Sequence, residues 1–143
     1  QMPERDIEEQ VLHDHILKVL KKEHYNYPNP SHPRLMTYLN HPAKTKSLFT
    51  IDRQELTPDI IVIDTQADRV VTIAEVETES TVSPEEEPEW ALFRRLDVRL
   101  HLYVPKGLGA RAAELCRGYK NTELIEYSKQ GDKYIIERYA ALD

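Results

Sequence analysis

Three carboxylates stand out in this chain by their spacing. Asp59 follows Pro58 and opens the apolar run Ile60-Ile61-Val62-Ile63, while Glu75 and Glu77 lie two apart near the end of the β-branched stretch Arg69 to Glu77. Residues two apart on a strand project from the same face, so the two glutamates are neighbours. The intervening Thr65-Gln66-Ala67-Asp68 is turn-compatible, and the two stretches read as an antiparallel hairpin. Adjacent antiparallel strands run in opposite directions, so the open end that holds Asp59 also holds Glu75 and Glu77. Carboxylates gathered at one sheet end repel one another unless a hard cation neutralises them, and Mg²⁺ typically takes one or two carboxylates together with water and phosphate oxygens. A site for Mg²⁺ or Mn²⁺ is the economical reading, with ordinary sheet-edge charges as its alternative.

Other reactive side chains form no comparable constellation. His13 and His15 are two apart on a predicted helix and point to different sides, and the i, i+4 spacing of a helical zinc pair is absent. His32 and His41 fall in a proline-rich connection, so the histidines are expected at the surface or in loops. Ser80 and Ser83 lack His and Asp partners, which removes support for nucleophilic hydrolysis. A lone Cys116 in an alanine- and leucine-rich helix reads as packing, and so do Trp90 and Phe93 at helical spacing. Tyr25, Tyr27 and Tyr38, interleaved with His32, Arg34, Lys44 and Lys46, suit either stacking and phosphate contacts or the pinning of a long loop.

The elements that must position the carboxylates follow from periodicity. Ile7, Val11, Leu12, Ile16, Val19 and Leu20 form one helical stripe between Glu4 and about Glu23. Pro28 and Pro30 end it, and the stretch to about Lys46, with Pro33 and Pro42, reads as a long loop. Ser47 to Asp52 suits a short strand ahead of the hairpin. Pro84-Glu85-Glu86-Glu87-Pro88 suits a helix start, and that helix runs to about Leu96. Arg99 to Val104 alternates as a strand and stops at Pro105-Lys106-Gly107. A helix over Gly109 to Tyr119, a strand over Thr122 to Tyr127 and an edge strand over Lys133 to Tyr139 complete the order, whose βαβ portion favours parallel pairing.

Composition sets outer bounds. With 143 residues, 40% hydrophobic and 31% charged, the chain is expected to be one domain over 1–143. No apolar run approaches the roughly 20 residues of a membrane span, and the N-terminus is acidic, so a cytoplasmic protein without a membrane partner is expected. A net charge of −6 argues against a general nucleic-acid coat protein. Lys44, Lys46, Arg53, Arg94, Arg95 and Arg99 can still form one basic face, or remain separately solvated.

Pro58-Asp59, a hairpin, then Glu75-Val76-Glu77 resembles the signature of the PD-(D/E)XK nucleases with its last residue altered. The resemblance extends from the first helix to about Pro105. It implies an α/β fold with a restriction-endonuclease-like core, a central mixed sheet flanked by helices in the order αβββαβ, here with a C-terminal αβ extension. It further implies a metal-dependent phosphodiester hydrolase acting on nucleic acid, DNA in the first instance, with Asp59, Glu75 and Glu77 catalytic and Asp59 and Glu75 on the metal. A first-helix acid, Glu8 ahead of Glu9, would join the metal, with a solvated helix residue as the alternative. Glu77 stands where the family usually has lysine, although some restriction endonucleases carry glutamate there. Arg94, Arg95 or Lys106 would then bring positive charge to the phosphate, and Arg94, Arg95, Lys44 and Lys46 would contact nucleic acid. Two rivals remain: an inactive binding module of the same fold, and a homodimeric regulatory domain joined through its terminal strand.

Overall fold

The computed structural model describes residues 5–143. Among these residues a helix α1 (Ile7–Glu23) precedes β1 (Leu35–Leu39), β2 (Leu48–Phe49), β3 (Glu55–Leu56), β4 (Ile60–Asp64) and β5 (Arg69–Val76). A short 3-10 turn (Glu79–Thr81) and α2 (Glu87–Arg94) lead to β6 (Arg99–Pro105). Then come α3 (Gly109–Leu115), β7 (Thr122–Gln130) and β8 (Lys133–Leu142). Six strands form one mixed sheet in the order β1-β4-β5-β6-β7-β8, and β2 pairs only with β3. The expected α/β class is therefore present.

The hairpin of β4 and β5 is antiparallel, as its composition predicts, with Ile60 opposite Ala74 and Asp64 opposite Arg69. Its turn closes because the Asp64 side chain accepts from the amides of Gln66 and Ala67, both at 3.0 Å. All five residues of β4 are buried, the mark of a central strand. β5, β6 and β7 pair in parallel through α2 and α3, and β8 returns antiparallel to occupy the sheet edge. α1 packs on one face over Ile60, Val62, Ala74 and Val76. The opposite face buries Trp90 and Phe93 of α2 and, beside α3, Ala112 and Cys116.

The expected long loop contains β1, which pairs antiparallel with β4 along its whole length. Leu-Met-Thr-Tyr-Leu is a fair strand sequence, but prolines on both sides hide it. The strand expected over Ser47 to Asp52 shrinks to two residues, because Thr50 to Arg53 turn back toward β3. The expected stripe of α1 is buried only in part, with Ile16 and Leu20 in the core and Leu12 packed against it. Ile7 and Val11 are 83% and 63% exposed, whereas His13, Ile16, Leu17 and Leu20 are buried.

Candidate functional site

Asp59 lies one residue before β4, Glu75 lies on β5 and Glu77 lies just past its end. The hairpin register carries Asp59 to Glu75, whose Oε1 accepts from the Asp59 amide at 2.7 Å. In return Asp59 Oδ2 accepts from the Val76 amide at 2.9 Å. Asp59, Glu75 and Glu77 are 4%, 6% and 0% exposed, so the three predicted carboxylates sit in one buried corner. Glu86, at the start of α2, is buried as well.

Two imidazoles meet this corner. His13 Nε2 lies 3.0 Å from Asp59 Oδ2, and His41 Nε2 lies 3.1 Å from Asp59 Oδ1. The rings stack edge to face with centroids 4.8 Å apart. His13 also reaches Asp14 Oδ1 through Nδ1 at 3.0 Å, bridging two carboxylates. Ligand atoms of His13, Asp14 and His41 lie within 4.8 Å of one another, an arrangement able to hold a metal ion. Surface or loop histidines were expected at these positions, and His41 does lie in the loop after β1. His13 instead occupies a core position of α1, and His41 follows β1 directly toward Asp59. The spacing rule tests only neighbours along one helix and is blind to a pair brought together by the fold.

Electrostatics divide the carboxylates. Burial by itself would raise Asp59, but hydrogen bonds from His13 and His41 outweigh it and hold the group well below the usual carboxylate range. His41 is raised in turn by its hydrogen bond to Asp59, against the effect of burial. Glu75 is pushed well up by burial and by the charges of Asp59 and Glu77. Glu77 is pushed up by burial and by Asp59. Both Glu77 carboxylate oxygens are buried without a hydrogen-bond partner. The hydroxyl of Thr81, which partly offsets the rise at Glu77, accepts from the Thr78 amide at 2.9 Å and lies 3.2 Å from the Thr78 carbonyl. The cation closest to Glu77 is Arg5, whose Nη2 stands 3.7 Å from Oε1 while donating to the Val76 carbonyl at 2.8 Å.

The remaining predicted residues lie elsewhere. Glu8 is exposed on the first turn of α1. Glu9 accepts from the amide and hydroxyl of Ser80 at 3.0 and 2.7 Å, tying α1 to the 3-10 turn. Arg94 donates to the Val98 carbonyl at 3.1 Å, and Arg95 pairs with Asp52 at 2.9 Å. Lys44 pairs with Glu55 at 2.8 Å, and Lys46 lies 5.7 Å from the Tyr38 ring centre. Lys106 is exposed in the turn after β6. Lys44 and Arg95 are thus bound to acids of the β2–β3 hairpin, while Arg5, overlooked in the sequence, supplies the charge beside Glu77.

Comparison of the chain with protein-family models, with curated proteins and with solved structures gives no match. Among the described residues, no helix is long and apolar enough to cross a membrane.

Proposed function

We propose that this corner binds a divalent cation, Mg²⁺ or Mn²⁺, and serves a nuclease-like domain that hydrolyses phosphodiester bonds in nucleic acid. The observation that carries the reading is Glu77, a fully buried carboxylate beside Asp59 and Glu75 that makes no hydrogen bond through either oxygen and has the Arg5 guanidinium no nearer than 3.7 Å. An uncompensated buried charge costs several kcal/mol, roughly, and a bound cation removes that cost. The element order α1, β1, β4, β5, α2, β6 along the main sheet agrees with the αβββαβ order of the PD-(D/E)XK nucleases.

In this reading Asp59, Glu75 and Glu77 hold the cation. When bound, it neutralises charge on the phosphate and supplies a water that ionises near neutral pH. His13 and His41 orient Asp59 through its two oxygens, as outer partners do for ligating carboxylates. The Arg5 guanidinium supplies positive charge at the position where the family uses lysine. Nucleic acid, DNA first, is the proposed substrate.

One observation favours a second reading. Asp59 already accepts from two imidazoles and one amide, so its charge is balanced by the protein itself. A nuclease-fold module without hydrolytic activity would need no more than this. The deciding experiment is Mn²⁺ titration by calorimetry with the wild type, Asp59→Asn and Glu75→Gln, followed by a cleavage assay with single- and double-stranded DNA. Binding and cleavage lost together in both variants are expected. Binding without cleavage would leave the inactive module, and a wild type that binds no Mn²⁺ would overturn the metal reading.

A further inference from the structure

α1 covers only part of its face of the sheet. Beyond its end, strands β4 to β8 and the segment from His24 to Tyr27 enclose an open cleft of about 370 Å³. Tyr25 is the hub of its hydrogen bonding, with Oη 2.7 Å from Tyr103 Oη and 2.6 Å from His101 Nδ1. Burial raises Tyr25 well above its ordinary range, pushes Tyr103 up to about 12 and lowers His101. All three are therefore neutral near pH 7. Tyr103 then donates to Tyr25, Tyr25 donates to His101 Nδ1, and the His101 proton resides on Nε2.

That Nε2 is buried and makes no hydrogen bond, although Glu123 Oε2 is 3.1 Å away. On the other side Arg138 Nε stands 3.4 Å from Glu123 Oε1. Two donors thus approach the Glu123 carboxylate without closing on it. Arg138 is mostly exposed and pairs with Glu123 only through Nε, so the cleft presents a carboxylate beside a guanidinium whose exposed position leaves it able to meet a ligand.

A carboxylate of this kind accepts from two adjacent N–H groups, and a guanidinium donates to a carbonyl or ring nitrogen. A single planar edge presents both. Guanine carries a ring N–H and an exocyclic amine beside a carbonyl, and arginine is its commonest partner at that carbonyl. Adenine places a ring nitrogen acceptor where Glu123 needs a donor. Val62, Val71 and Ile136 supply apolar surface, and Tyr27 an aromatic one, for the faces of such a ring.

We propose that this cleft binds a guanine-type heterocycle, with Glu123 accepting from its ring N–H and amine and Arg138 donating to its carbonyl. The base comes from a free nucleotide or from a nucleic-acid strand, and only the strand source rests on the function proposed above. The test is calorimetric titration of GMP, IMP and AMP in EDTA, against the wild type, Glu123→Gln, Arg138→Gln and Asp59→Asn. A single-stranded oligonucleotide with one guanine is titrated alongside.

GMP binding at least about tenfold tighter than AMP is expected, a difference of about 1.4 kcal/mol. IMP, which lacks the amine, should fall between them. Glu123→Gln and Arg138→Gln should each lose the preference, while Asp59→Asn, whose side-chain partners all lie outside the cleft lining, should keep it even if no nuclease activity exists. An oligonucleotide that binds more tightly than GMP identifies a strand as the source, and one that binds no better identifies the nucleotide. The proposal is overturned if GMP shows no saturable binding, if AMP binds as well, or if GMP binding survives both cleft substitutions in folded protein.

Discussion

The acidic corner and the tyrosine cleft bury polar groups in opposite ways. In the cleft, Tyr103, Tyr25 and His101 are joined in a chain of neutral hydrogen bonds, and burial keeps them neutral. In the corner, the buried groups are carboxylates and imidazoles, and they are satisfied unequally. Asp59 is engaged on both oxygens by His13, His41 and an amide, while Glu77 has neither oxygen hydrogen-bonded. Neutral networks stabilise a fold by themselves, whereas a buried carboxylate needs a proton or a cation to reach the same state. The difference separates a region organised for shape from one whose charge state depends on what binds there.

The largest effect expected from breaking this contrast comes at Asp59. Asp59→Ala removes the acceptor for His13, His41 and the Val76 amide together, and leaves buried donors unmatched. Loss of one partner of a buried charged network costs about 3–5 kcal/mol. Urea unfolding should show that loss at pH 7, with Asp59→Asn intermediate because it keeps part of the acceptor geometry. A loss of under about 1 kcal/mol for the alanine variant, the range of exposed ion pairs, would mean that the histidines do not depend on Asp59.

Why one half of this corner was legible in the sequence and the other was not has a physical basis. The meeting of Asp59 and Glu75 follows from strand direction and a four-residue turn, both of which are local properties. His13 is separated from Asp59 by 46 positions, and nothing in the sequence near either residue announces the contact. It also sits on α1 outside the apolar stripe, of which Ile16 and Leu20 are buried while Ile7 and Val11 are exposed, so the pattern does not mark His13 as a core position. The parallel βαβ portion was readable because alternating strands and helices leave few other connections. β1 was not, since four prolines in its neighbourhood outweigh five strand-forming residues. The cleft escaped notice for the same reason as His13: Tyr25 follows α1, His101 lies on β6 and Glu123 on β7, and they share no local pattern.

A smaller effect should appear in the pH dependence of stability. Glu86 is raised from 4.5 to about 8, by burial first and then by a hydrogen bond with the Glu89 carboxyl. Its folded value exceeds its unfolded one, so the folded state holds the extra proton between those values. Stability from this group is full below about pH 4.5 and is lost as pH rises through about 8. His41, raised by Asp59, acts in the same direction through the neutral range, and Asp59 acts oppositely only in acid. The loss expected from this group is about 2 kcal/mol. Glu86→Gln should therefore match the wild type in melting temperature near pH 4 and exceed it by several degrees near pH 9. Parallel curves for the two proteins would show that Glu86 titrates as an ordinary surface acid.

The smallest effect belongs to the cleft. Tyr25→Phe keeps the aromatic packing and removes only the hydroxyl at the centre of the chain. Tyr103 can turn its own proton elsewhere, and His101 Nδ1 lies close enough to the open cleft to be reached by water. The cost should therefore stay near that of a single neutral hydrogen bond, about 1 kcal/mol, rather than approach the Asp59 value. The more telling readout is the imidazole itself. Removing the Tyr25 donor from Nδ1 frees the ring to change tautomer, which nitrogen NMR of His101 reports directly. A His101 that stays protonated on Nε2 in Tyr25→Phe would show that Glu123, and not Tyr25, fixes the tautomer, and the cleft would then be organised from its charged end.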